Sequence, residues 1–188
     1  MLANDPLTAL LLIDIQQGFT HPKWGQRNNP DAEQKMAAIL AAWRQARRPL
    51  FHVKHDSTDL SSPLALGQAG NEIMKIVYPA PGEVVLRKSV NSAFIGTSLQ
   101  DSLMKKGITG VVIVGLTTPH CVSTTARMAG NLGFKVRVVA DATAAFELRG
   151  LDGQKVSPEE AHYHALTALS GEFAEIVSTD ALLASAQN

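Results

Sequence analysis

Three residues of this chain combine into one piece of chemistry: Asp14, Lys88 and Cys121. A thiol is a nucleophile as its thiolate. A carboxylate can take the thiol proton and later hand it to a leaving amine. An ammonium beside both holds the charges together. Cys121 is the single cysteine of the 188 residues, so no disulfide within the chain competes for it. Each type also has an ordinary structural use: an Asp can cap a turn, a Lys can stand in solvent, a buried Cys can pack as a small hydrophobe. What matters is whether the fold brings the three together.

The pattern around them predicts that it does. Residues Thr8 to Asp14 (TALLLID) form a continuous apolar run ending in a carboxylate, as in a parallel strand buried on both faces. Further strands are expected at Leu50–Val53, Glu83–Arg87, Gly110–Val114, Lys135–Ala140 and Glu175–Val177. Helical patterns lie between them. Asn29-Pro30 is read as cap and first turn of one, with Ile39, Leu40 and Trp43 on its apolar face. Others are expected over Thr97–Lys106, Cys121–Asn131, Ser157 to about Leu169, and from Ala181 onward. Ser157-Pro158-Glu159-Glu160 reads as a capping box. The stretch Asp56 to Gly82 is long and rich in Ser, Gly and Pro, with a short helix expected around Asn71–Ile76.

Strands alternating with helices predict an α/β fold: a mostly parallel six-stranded sheet with helices on both faces, a three-layer sandwich in one domain over residues 1–188. In such sheets ligands bind beyond the carboxyl ends of the strands. Asp14, His55, Lys88, the Gly115–His120 loop and Asp141 all fall at such ends. Cys121 is placed at a helix start, where free N–H groups and the helix dipole are expected to lower its thiol pKa. Backbone N–H groups of Thr117 and Cys121 are candidates for an oxyanion hole.

Composition excludes several classes. Lys+Arg and Asp+Glu are both 17, and no basic cluster longer than Arg47-Arg48 occurs, so no nucleic-acid partner is expected. The run Ala9–Ile13 is too short for a signal or membrane segment, and Met1–Pro6 carries no basic lead. A cytoplasmic protein without a membrane partner is expected. His52 and His55 would point to opposite faces of a strand, and His162 and His164 to different faces of a helix. No metal and no cofactor are therefore expected.

The segment Gly115-Leu-Thr-Thr-Pro-His-Cys121-Val-Ser-Thr-Thr-Ala-Arg127-Met-Ala129 resembles the nucleophile segment of isochorismatase-like cysteine hydrolases, G-x-x-T-x-x-C-V-x-x-T-x-R-x-A. Leu12-Ile-Asp14-Ile-Gln16 with Phe19 is similar to that family's I-D-x-Q-x-x-F, and Lys88-Ser-Val-Asn-Ser92-Ala93-Phe94 to its K-x-x-x-S-A-F. Asp141-Ala142-Thr143 matches the segment after strand five. The likeness spans about Leu7 to Leu183. It implies Asp14 as base, Lys88 as its charged partner, Cys121 as nucleophile, and a cis peptide at Leu116–Thr117. It also implies a Rossmann-like sandwich forming a homodimer or homotetramer.

Keeping the cysteine favours the amidase branches over ether-cleaving isochorismatases, and the metal histidines of nicotinamidases are not matched here. The expected reaction is C–N cleavage of a small amide, ureide or lactam through a thioester. The alternatives are isochorismatase-type ether hydrolysis and a non-catalytic ligand-binding homologue. Gln16, Phe19, Trp24, Phe94 and His120 are expected to contact substrate. Arg127, deeper in its helix, is expected in a structural ion pair.

Overall fold

A computed structural model describes residues 6–184. The reading of Met1–Asp5, and of the terminal helix beyond Ala184, lies outside the described residues. Six parallel strands build the central sheet: β1 (Thr8–Ile13), β2 (Leu50–His55), β3 (Val84–Lys88), β4 (Gly110–Leu116), β5 (Lys135–Ala144) and, after a small hairpin described below, β8 (Glu175–Val177). Their order is β3-β2-β1-β4-β5-β8. The direction of winding reverses between β1 and β4, so the crevice expected for a ligand opens there.

Every residue of β1 and β4 is buried, which their unbroken apolar sequences foretell. Alternate residues of β1 feed two cores. Leu10 and Leu12 pack with Met36, Ile39, Leu40 and Trp43 of α1 (Ala32–Gln45) and Leu182 of α5 (Thr179–Ala184). Ala9, Leu11 and Ile13 pack on the other face. There they meet Leu99 and Leu103 of α2 (Leu99–Lys105), Ala126 and Ala129 of α3 (Ser123–Asn131), and Leu166 of α4 (Pro158–Thr167). These are the three layers expected.

Several local expectations are corrected. Asn29 does not cap α1, which starts after Asp31. Asn29 has φ 44° and donates from its amide to the carbonyls of Ala140 (3.0 Å) and Thr143 (2.7 Å), pinning the end of β5 instead. That strand therefore runs on to Ala144, past the expected Ala140. Asp141 turns away from the site: it accepts from Thr179 N and Oγ1 and pairs with Lys35 at 3.1 Å. The Asn71–Ile76 helix is replaced by two 3₁₀ turns, Ala69–Asn71 and Lys75–Val77. A two-stranded hairpin, β6 (Leu148–Arg149) and β7 (Lys155–Val156), was not anticipated. The capping box at Ser157 forms as read, with Ser157 Oγ accepting from Glu160 N and Glu160 accepting from Ser157 N.

Glu83 pairs with Arg44 through both oxygens at 2.8 Å and meets Nε2 of buried His52 at 2.9 Å. The Arg44 guanidinium, with help from the Ala80 N–H and His52, holds the Glu83 carboxyl down at about 2, although partial burial opposes this. A depressed carboxyl contributes stability above its unfolded value of 4.5 and loses it as pH falls toward 2. Glu83→Gln is therefore expected to flatten the fall of Tm across that acid window, measured by thermal melts at stepped pH.

At the upper end, Gly115 has φ 128°, and a Cβ there would lie 2.0 Å from the Ile13 carbonyl. Only glycine fits this approach. It lets the end of β4 close against the end of β1, carrying the segment that follows toward Asp14.

Candidate active site

Four strand ends, those of β1 to β4, each lead to one reactive side chain. Asp14 follows β1 in a left-handed conformation, φ 51°, uncommon for a residue with a Cβ. Lys88 closes β3 and His55 closes β2, in register with each other. Beyond β4 the Leu116–Thr117 peptide is cis. A π-helical turn, Thr118–Val122, then leads into α3 and carries Cys121. The expected helix from Cys121 to Asn131 thus begins as α3 at Ser123, after this wider turn.

Lys88 sits at the centre. Its Nζ donates to Asp14 Oδ2 at 2.6 Å and to Cys121 Sγ at 3.3 Å, and stands 3.2 Å from His55 Nδ1. The side chains of Asp14 and Lys88 are wholly buried. The donor atoms of Asp14, His55 and Cys121 lie within 4.8 Å of one another, a grouping able to hold a cation. The Lys88 ammonium touches all three and supplies that positive charge from the chain itself. The other carboxylate oxygen, Asp14 Oδ1, is buried with no hydrogen-bond partner among the described residues. It is an acceptor left open beside the thiol.

Burial pushes the Asp14 carboxyl up, with Lys88 pulling it back. Burial also pushes the Cys121 thiol up, to about 12, and the neighbouring Asp14 charge adds to this. This reverses the expectation of a lowered thiol pKa. A helix end and an ammonium do favour thiolate, but Cys121 is only 8% exposed and faces a carboxylate, and the lost hydration outweighs them. The resting group is a thiol with a base beside it.

The cluster floors a cavity of about 370 Å³. Phe19, Trp24, Phe146, Leu64 and Leu148 make one wall. The three rings stack or tilt on one another at 5.3 to 6.0 Å between centroids. His55, Asn91, Thr117, Pro119 and His120 line the rest, and Lys23 and Glu147 complete it. His120 Nδ1 lies 3.0 Å from Thr117 Oγ1. Of the residues expected to contact substrate, Phe19, Trp24 and His120 reach the cavity and two do not. Gln16 is fully buried: its amide donates to the His55 and Asn71 carbonyls and accepts from His55 N. Phe94 is partly buried and stacks on Phe134 at 6.1 Å, both rings packed against the core on that face of the sheet.

The histidines separate as expected. His52 is buried against Glu83 on the opposite side of β2 from His55. His162 meets Thr118 Oγ1 at 2.8 Å, while His164 is exposed. Among the described residues Arg127 pairs with no carboxylate; its guanidinium lies 4.6 Å from the Phe173 ring centroid and bonds to Ser123 and Ala168. The packed aromatic answers for the ion pair expected there. Phe146, Leu148 and Leu64 were not singled out from sequence. Only the aromatic at the far end of strand five offered a signal for the first.

A buried lysine–carboxylate–thiol cluster beneath a cavity of about 370 Å³, at the switch point of a parallel sheet, defines an α/β protein built around a reactive centre. The isochorismatase domain model matches residues 8–181. The chain is 44% identical over 175 residues to the isochorismatase family protein YrdC of Bacillus subtilis, covering 93% of this chain and 94% of that one. It is 30% identical to nicotinamidase 3 of Arabidopsis thaliana, over 95% and 88% of the two chains. The crystal structure of an isochorismatase-family hydrolase from Chromobacterium violaceum superposes with a TM-score of 0.95 at 41% identity, covering 98% and 95%. The chain belongs to the isochorismatase family of hydrolases.

Proposed function

We propose that the protein hydrolyses a C–N bond of a small amide-type molecule, with Cys121 as nucleophile, Asp14 as general base and acid, and Lys88 as the fixed cation between them. The observation that carries this reading is the division of labour at Asp14: Oδ2 is held by Lys88 while Oδ1 stands open beside the thiol. Because the thiol is neutral at rest, its deprotonation accompanies attack. Asp14 takes the proton as Sγ bonds to the carbonyl carbon. The Thr117 and Cys121 backbone N–H groups receive the developing oxyanion. Asp14 then protonates the departing nitrogen, the C–N bond breaks, and a thioester remains on Cys121. Water, deprotonated by Asp14, attacks the thioester and releases acid and thiol. The relative named nicotinamidase supports an amide substrate, and a cavity of about 370 Å³ suits a small molecule.

The test is a panel of small amides, ureides and lactams, read as release of ammonia from the amides and ureides and of the ring-opened amino acid from the lactams, with wild type and Cys121→Ala side by side. Release by wild type alone supports the thiol mechanism and identifies the substrate class. Equal release by both contradicts it. Cleavage of a vinyl ether that survives Cys121→Ala would favour the ether-hydrolase alternative.

A further inference from the structure

We infer that His55 is a positioning residue for the reaction proposed above: its neutral ring is the third acceptor of the Lys88 ammonium and fixes where that charge stands. An ammonium has three N–H donors and no acceptor. Here three side chains face it, Asp14 at 2.6 Å, His55 at 3.2 Å and Cys121 at 3.3 Å. Without His55, one donor of a fully buried cation would lose its partner inside the site. The ammonium would then be free to swing away from the sulfur.

A donor-only neighbour also dictates the tautomer. Nδ1 must offer its lone pair, so the ring proton sits on Nε2. The ring is itself fixed through its backbone. Gln16 accepts from His55 N at 2.8 Å and donates to His55 O at 2.9 Å, and Asn71 donates to the same carbonyl at 3.0 Å. This gives buried Gln16 a purpose that substrate contact does not: it clamps the residue that clamps Lys88.

Protonation would undo the arrangement, because an imidazolium cannot accept and would face the ammonium with like charge. The charged groups facing His55 are Lys88 from β3, Asp14 beyond β1, and Asp56 beside it, which is committed to Arg87 at 2.6 Å and to Asn71. The Cys121 thiol completes its surroundings. Burial first, and then the Lys88 charge, hold the ring below its usual 6.5. The neutral form therefore prevails at neutral pH, and the cation appears only as pH falls further.

The experiment is nitrogen-15 NMR of histidine-labelled wild type, with His55→Asn to assign the His55 signal among the six histidines. It is paired with pH profiles of kcat/KM for wild type, His55→Asn and His55→Leu. At neutral pH the His55 ring is expected as the Nε2–H tautomer with an unprotonated, hydrogen-bonded Nδ1. The wild-type acid limb should carry a His55 proton in addition to that of the Asp14 base, and the His55 proton should drop out in His55→Asn, whose carbonyl accepts but does not titrate, leaving the Asp14 limb alone. His55→Leu, with no acceptor, should lose about tenfold or more at all pH values. An Nδ1–H tautomer, an imidazolium at neutral pH, or an unchanged acid limb in His55→Asn would overturn the assignment. The tautomer is read on wild type without substrate. A failed amide panel with the expected tautomer would therefore count against the proposed reaction and not against the role of His55.

Discussion

Asp14→Asn is expected to abolish turnover, lowering kcat by about 10⁴-fold, the scale seen when one member of a cooperating catalytic set is removed. The substitution is nearly isosteric, so cavity shape is preserved. What changes is that an amide cannot take the thiol proton. For a thiol already ionised this would matter less. Here burial, the largest cause, still pushes the Cys121 thiol up after the Asp14 charge is removed, and among the described residues no other carboxylate stands beside the sulfur to take its proton as it attacks. The loss should appear in kcat, with binding of a substrate analogue changed far less. Activity within about tenfold of wild type would mean that the thiol ionises by another route.

The second large effect concerns stability. Lys88→Met is expected to destabilise the fold by roughly 3–5 kcal/mol, a fall in Tm of roughly 10 °C, because it strands the Asp14 carboxylate in a site with no exposure. The double variant Asp14→Leu with Lys88→Met should recover most of that loss. Two buried charges lose more hydration than their attraction returns, and well-packed apolar replacements avoid that cost. The pair is thus kept for chemistry and not for stability. Calorimetry of wild type, the single variant and the double variant decides this. If the double variant is no more stable than Lys88→Met, the ion pair is part of what holds the upper sheet together.

Much of this was legible in the residues because the physics was local. The apolar runs of β1 and β4 fit interior parallel strands, and the Ser157 capping box satisfies its own backbone donors within four residues. Placing Asp14, Lys88 and Cys121 at the rim needed only strand ends and chain order. What resisted reading was set by distant partners. Asn29 looks like a cap, yet its amide serves carbonyls more than 100 residues away in β5. Gln16 and Phe94 flank catalytic-type motifs, but their side chains turn inward, one to hold His55 and one to pack on Phe134. The thiol pKa went astray because helix position is visible in sequence and desolvation is not. The cavity wall contributed by Phe146 and Leu148 depends on how the segment after β5 folds back, which the Gly150–Gly153 turn alone does not announce.

The central claim is a covalent thioester on Cys121, and rapid-quench mass spectrometry of the wild-type protein turning over an accepted amide tests it most directly. A transient mass increase equal to the acyl group is expected, mapped to the peptide containing Cys121, formed before the acid product and absent in Cys121→Ala. Acid product accumulating with no adduct on Cys121 at any time, and at the same rate in Cys121→Ala, would contradict it.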